Sequence, residues 1–141
     1  MPTTTLAHGT LEYHTTADTD VVDITPDVAD FIAESGIEDG LLVIFIPGST
    51  ASVTTIEYES GAVADLKRAV ERLAPRDEHY EHNLRWGDGN GFSHVRAALL
   101  GPSLTVPIQG GQLELGTWQQ IVLCDFDNRP RRRKVLLRLL G

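Results

Sequence analysis

One cysteine, Cys124, stands alone in the chain, so no internal disulfide can form. A lone thiol suits a reducing compartment. Cys124 closes the apolar run Ile121-Val122-Leu123-Cys124, where a thiol acts as a small hydrophobe. No apolar run approaches the roughly 20 residues that cross a bilayer as a helix. The start, Met1-Pro2-Thr3-Thr4-Thr5, has neither the basic charge nor the apolar core of a signal peptide. A cytoplasmic protein with no membrane partner is expected. Repeats, low-complexity tracts and long linkers are also missing, so a single domain over residues 1–141 is expected. Lysine and arginine are absent from the first 66 residues, which hold 12 Asp or Glu. Residues 67–141 hold 12 Lys or Arg and 8 Asp or Glu. The halves therefore carry −12 and +4, and the whole −8. That total argues against nucleic acid as the general partner. The separation suggests pairing between the halves of one chain, or between an acidic face and a basic face of two copies.

What is present reads as short strands with two helices. Residues 3–16 alternate and are rich in threonine, which predicts an edge strand. Residues 21–24 make a short strand. Thr25-Pro26-Asp27 predicts a helix start with Thr25 at the N-cap, and Gly36 its end. Six apolar residues over 41–46 predict a central strand covered on both faces. Residues 53–59 return as a strand, which would put Glu57 and Glu59 on one face. Val63, Leu66, Val70 and Leu73 give the helical spacing of a second helix over 60–74, stopped by Pro75. Residues 93–100 fit a helix or a strand. Residues 104–108 and 113–116 flank the hairpin turn Gln109-Gly110-Gly111-Gln112. A long strand over 117–126 turns at 127–130 into a closing strand over 131–140. The fold class is α+β: a mixed, largely antiparallel sheet of about seven strands, covered by two helices.

The chemistry concentrates in residues 82–119. Gly87, Gly89 and Gly91 alternate with Asp88 and Asn90, a pattern that suits a tight loop rather than a regular element. His82 and His94 flank it, and both tryptophans, Trp86 and Trp118, lie in this stretch. The two imidazoles can ligate a metal, with oxygen from Asp88, Glu57 or Glu59. The competing reading is a shaped turn whose histidines only cap it. The full calcium loop, with its terminal bidentate acid, is absent. Pro47-Gly48-Ser49-Thr50 offers N–H groups and hydroxyls to a phosphate but lacks the following Gly-Lys-Ser/Thr of a nucleotide triphosphatase loop. Arg131 and Arg133 share a strand face and suit either a phosphate or a partner for the acidic half.

Several stretches together resemble the YjbQ-like family, also described as secondary thiamine-phosphate synthase enzymes. They are residues 47–51, Thr54-Thr55-Ile56-Glu57-Tyr58-Glu59, Asp65-Leu66, His82, Trp86-Gly87-Asp88-Gly89-Asn90, Ser93-His94, residues 99–103, Gly116-Thr117-Trp118-Gln119 and residues 126–134. The resemblance implies an α+β fold, a homotrimer and a weak thiamine-phosphate synthase activity. That reaction joins hydroxymethylpyrimidine pyrophosphate to thiazole phosphate and releases pyrophosphate. It also implies a divalent metal, Mg or Zn, at His82, His94 and Asp88. On that reading His82 moves a proton, Glu57 serves the metal or a water, and Gln119 orients the substrate. Ser49, Thr50, Asn90, Ser103 and Arg96 hold phosphate. Many members have histidine where this chain has Gly48 and Phe92, so two imidazoles of the site are expected to be missing. The alternative is a non-catalytic homotrimer that binds a metal or a small phosphorylated metabolite.

Overall fold

The computed structural model describes residues 4–141. The expected strand start at Thr3 lies outside them. Twelve elements follow one another: β1 (Leu6–Thr15), β2 (Asp20–Asp23), α1 (Thr25–Ser35), β3 (Gly40–Phe45), β4 (Ala51–Ile56), α2 (Ser60–Leu73), α3 (Glu81–Trp86), α4 (Gly91–Leu100), β5 (Ser103–Gln109), β6 (Gln112–Leu113), β7 (Gln120–Asp125) and β8 (Arg131–Leu140). The strands form two sheets, ordered β1-β8-β3-β5-β6 and β2-β7-β4. Every pairing is antiparallel. The α+β class and the antiparallel habit stand, with β1 on an edge as its threonines imply. The single sheet becomes two, and α3 and α4 join the two expected helices.

The sheets pack face to face over one core. Ile24, just before α1, and Val28 and Ile32 within it meet Leu42 and Ile44 of β3, Leu123 of β7 and Leu137 of β8 there. Alternation then sends Val122 and Cys124 of β7 to the opposite face, into a second core with Val70 of α2 and Ala97 of α4. The strand covered on both faces is therefore β7. The six-residue apolar run is not: Leu42 and Ile44 are buried, while Leu41, Val43 and Phe45 point outward and are exposed. An apolar run cannot reveal which of its faces lacks a covering layer.

Helix starts also differ from expectation. Thr25 does not cap α1. Its hydroxyl accepts from the Ile121 N–H at 2.8 Å and so ties the helix to β7. Glu59 lies beyond the end of β4 and caps α2, accepting from the Ala62 N–H at 2.9 Å and from the Gly61 N–H. It shares no strand face with Glu57. These backbone bonds, Gly61 first, hold its carboxyl below the usual range.

At one end the chain crosses between sheets three times, first from β1 to β2 through residues 16–19 and then by two crossings that meet each other. It passes from β3 to β4 through residues 46–50, and from β7 to β8 through residues 126–130. The Phe126 N–H donates to the Thr50 carbonyl at 2.9 Å and locks the two crossings together. The turn at 127–130 is thus not a hairpin.

Candidate functional site

Helices α3 and α4 lean over these crossings. Gly87 and Gly89 both have φ of +69, the left-handed backbone that ends α3 and turns the chain toward α4. Gly91 has a steric reason of its own: a Cβ there would lie 2.5 Å from the Tyr80 Cβ. Its N–H donates to Asn83 Oδ1 at 2.9 Å, which fixes α4 against α3. Ser93 Oγ donates to the Phe126 carbonyl at 2.5 Å and anchors α4 to the crossing from β7 to β8. The consequence is that His82 of α3 and His94 of α4 meet, ring centroids 4.2 Å apart and planes tilted by 50°. Asp88 Oδ1 is 3.5 Å from His82 Nε2. The Asn90 amide fills the gap between them. With its nitrogen toward Asp88 it donates to Oδ1 at 2.9 Å and to His82 Nε2 at 3.1 Å. Turned over, it reaches Asp127 Oδ1 at 3.4 Å.

Beneath this layer lies a buried ionic floor. Asp125 and Asp127 are fully buried at the end of β7. Arg133 Nε donates to Asp125 Oδ2 at 2.7 Å and its Nη2 to Asp125 Oδ1 at 2.9 Å. Thr15 Oγ1 adds a third bond to Asp125 at 2.6 Å. Arg131 Nε donates to Asp127 Oδ2 at 2.8 Å, and Thr50 Oγ1 to the same oxygen at 3.1 Å. Burial alone would push the Asp127 carboxyl up; bonds from Arg131, the Asn128 N–H, Asn90 and Thr50 outweigh it and hold it below the usual range. The two arginines of the basic run thus serve carboxylates of their own half. Among the described residues four ion pairs join the halves: Arg132 and Lys134, both on Glu12, Arg76 on Asp18, and Arg68 on its helix neighbour Asp65.

Above the floor opens a cavity of about 400 Å³. Its lining includes Gly48, Ser49, Thr50 and Arg131 from the crossings and β8, and His82, Trp86, Asp88 and His94 from α3, α4 and the loop between them. Burial first, and then the neighbouring His82, pull the His94 imidazole below its ordinary value, against the opposing pull of Asp88 and Asp127. His94 is therefore neutral near pH 7. Gly48 does line this cavity, with φ of +125. Phe92 does not: its ring is buried between the guanidinium groups of Arg76 and Arg96, 5.2 and 4.8 Å away. Position 92 faces away from His94, so of the two departures only Gly48 bears on the donor set.

The structure brings together His82, His94, Asp88, Asn90, Ser49 and Thr50, and leaves four expected residues elsewhere. Arg96 is buried, donating to the Ala74 carbonyl at 3.0 Å and Thr19 Oγ1 at 3.2 Å and pairing with Glu71. It has no group left for a phosphate. Glu57 is exposed beyond the far end of β4. Seven residues of extended chain, about 23 Å, separate it from Thr50. Gln119 is at that far end too, where its Nε2 donates to Thr55 Oγ1 at 3.1 Å. Ser103 lines a separate cleft of about 290 Å³ with Gln119 and Glu114. Strand length separates Glu57 and Gln119 from the loop, whereas Arg96 is turned inward by the packing of α4.

The donor chemistry for a divalent cation is two imidazoles and one half-exposed carboxylate. Among the described residues no group of three or more His, Cys, Asp or Glu side chains is placed to hold a metal ion, so His82, His94 and Asp88 do not form a ready three-ligand site. The set is open on the cavity side, so oxygens from a ligand or water would have to complete it.

The matches to known proteins agree with this architecture. Residues 9–141 match the family described as UPF0047 protein YjbQ-like. The chain belongs to the YjbQ-like family. A UPF0047 protein of Mycobacterium tuberculosis (strain H37Rv) is 43% identical over 117 residues, 83% of this chain and 86% of the relative. YugU of Bacillus subtilis is 36% identical over 133 residues, 94% and 98% of the two chains. The crystal structure of a protein of unknown function from Sulfolobus solfataricus superposes with a TM-score of 0.94 over 99% of both chains, at 29% identity. What the residue reading of this YjbQ-like chain missed is the floor. Asp125 and Asp127 passed as strand end and turn, though two acids facing a run of four basic residues at 131–134 were the available signal.

Proposed function

We propose that the chain is a secondary thiamine-phosphate synthase-like enzyme. It would join hydroxymethylpyrimidine pyrophosphate to thiazole phosphate and release pyrophosphate. The observation that carries this reading is the pair of touching imidazoles, His82 and His94, which line one cavity together with Arg131. His94 is kept neutral and can accept a proton or ligate. His82, held by Asn90 and Asp88, is the proton carrier. Arg131 takes the phosphate role first given to Arg96, with the hydroxyls of Ser49 and Thr50 beside it. Already paired with Asp127, its guanidinium would supply the cation that the charge of a leaving pyrophosphate needs. A Mg or Zn ion held by His82, His94 and Asp88 would add Lewis acidity there.

The alternative, a metal- or metabolite-binding protein without turnover, draws on the open donor set. Turnover of the two substrates by purified protein separates the readings. Synthase activity that falls about 100-fold or more in His94→Ala supports the enzyme. Equal residual turnover in both proteins, with metal still bound stoichiometrically, supports the binding protein.

The reading includes a cytoplasmic homotrimer. Its support is the outer face of the five-stranded sheet, where Leu6, Leu41, Val43, Phe45 and Leu140 are all exposed. The pairing Leu41 with Leu140, and Leu140 with Leu6, sets three of them in one row. Apolar rows of this size mark interfaces. Among the described residues no helix is long and apolar enough to cross a membrane. Light scattering that gives about three times the 15.4 kDa of one chain checks the assembly.

A further inference from the structure

Resting on the phosphate-site reading above, we infer that Trp86 is a stacking platform. The site then selects phosphates that carry a planar aromatic ring over phosphates without one. Trp86 is the last residue of α3 and lines the same cavity as the two imidazoles. Its side of α3 has no further helical turn beyond it, because Gly87 ends the helix. The residue is 66% exposed, a costly position for the side chain with the most apolar surface to bury. The Arg85 guanidinium lies 5.6 Å from the indole centroid, which steadies the ring and brings positive charge to that wall.

The rest of the lining has the other half of the chemistry. Arg131, Ser49 and Thr50 offer a cation and hydroxyls, and they line the cavity together with the two imidazoles. A volume of about 400 Å³ lies in the range of roughly 300–1,000 Å³ usual for small-ligand sites. A ligand that satisfies both parts of the lining is flat and apolar at one end and anionic at the other. An indole accepts any planar ring by its π-face, so this wall gives ring selection without reading the ring's substituents. Trp118 supplies an internal control. It is 72% exposed at the other end of the three-stranded sheet and does not line this cavity.

The test uses hydroxymethylpyrimidine phosphate and methyl phosphate, which share the phosphate and differ in the ring. In a Trp118→Phe protein, Trp86 is the sole tryptophan, and its emission should be quenched saturably by the ring phosphate. By calorimetry Trp86→Ala should weaken that ligand about tenfold and leave methyl phosphate within about twofold, while Trp86→Phe keeps most of the affinity. Loss of both ligands together in Trp86→Ala, or of neither, overturns the inference. If Arg131→Gln abolishes both and the ring adds no affinity, the phosphate site stands and the platform falls. If the parent protein binds neither ligand, both fall.

Discussion

At one end of the three-stranded sheet, where β4 begins and β7 finishes, the chain buries Asp125, Asp127, Arg133 and Thr50 in one bonded network. At the other end, where β4 finishes at Ile56 and β7 begins at Gln120, Glu57, Trp118 and Gln119 stand in solvent. The same strands build both. The difference lies in the crossings: only the first end is closed over by the second sheet and by α4. Charge taken out of water there must be matched bond for bond. Charge at the open end needs nothing, and its bonds contribute little. The dense end is thus the place where removing one group strands another, and where a cavity meets groups already fixed in position.

Arg133→Ala should break this contrast most severely. It removes the guanidinium that makes two bonds to Asp125, whose carboxylate is 0% exposed. Truncating one partner of such a pair costs about 3–5 kcal/mol. Gln119→Ala, at the open end, should stay within about 0.5 kcal/mol. Urea unfolding of the two variants gives the comparison directly. Equal midpoints would mean that the ionic floor adds no more than a surface amide does.

Turnover sharpens the same contrast. His94→Ala should lower any synthase rate about 100-fold or more, near 2.7 kcal/mol in barrier. Glu57→Gln and Gln119→Ala should change it less than about threefold. A large loss in Glu57→Gln would mean that the far end of another copy reaches this cavity in the assembly.

Arg96 and Arg131 make a third comparison. Arg96→Ala loses the bonds to Ala74, Thr19 and Glu71 and should cost about 2 kcal/mol of stability. Its phosphate affinity should not move, whereas Arg131→Gln should weaken phosphate about tenfold. Calorimetry with pyrophosphate decides it.

The legible part of this molecule was local. Ser60–Leu73 showed its apolar stripe, Gly36 its helix stop and residues 109–112 their hairpin turn. The glycine-bounded loop led to His82, His94 and Asp88. The missed parts all depend on which layer covers which face. The run at 41–46 reads the same whether one face or two are covered. A short helix such as Glu81–Trp86 has too few residues for a period to emerge. Arg96 looked like a free cation because the Ala74 carbonyl and the Phe92 ring reach it only through tertiary packing.

Acid should act on the dense end before the open one, by a smaller effect than any of these substitutions. His94 has its imidazole held below the ordinary value near 6.5, mainly by burial and then by His82. In the unfolded chain it takes up a proton as pH falls through about 6.5; in the folded chain it resists until lower pH. Over that window the unfolded state binds more protons, so stability must fall as pH drops. Asp127 is held below the usual carboxylate range. Its contribution is fully present above the unfolded carboxylate value near 4 and is lost only below it. The two groups therefore act in separate windows. Unfolding midpoints from pH 7.5 to 5 should decline gently in the parent protein and less steeply in His94→Gln, where the buried imidazole is gone. A decline of equal slope in both would assign the acid sensitivity to another group and leave His94 with an ordinary imidazole.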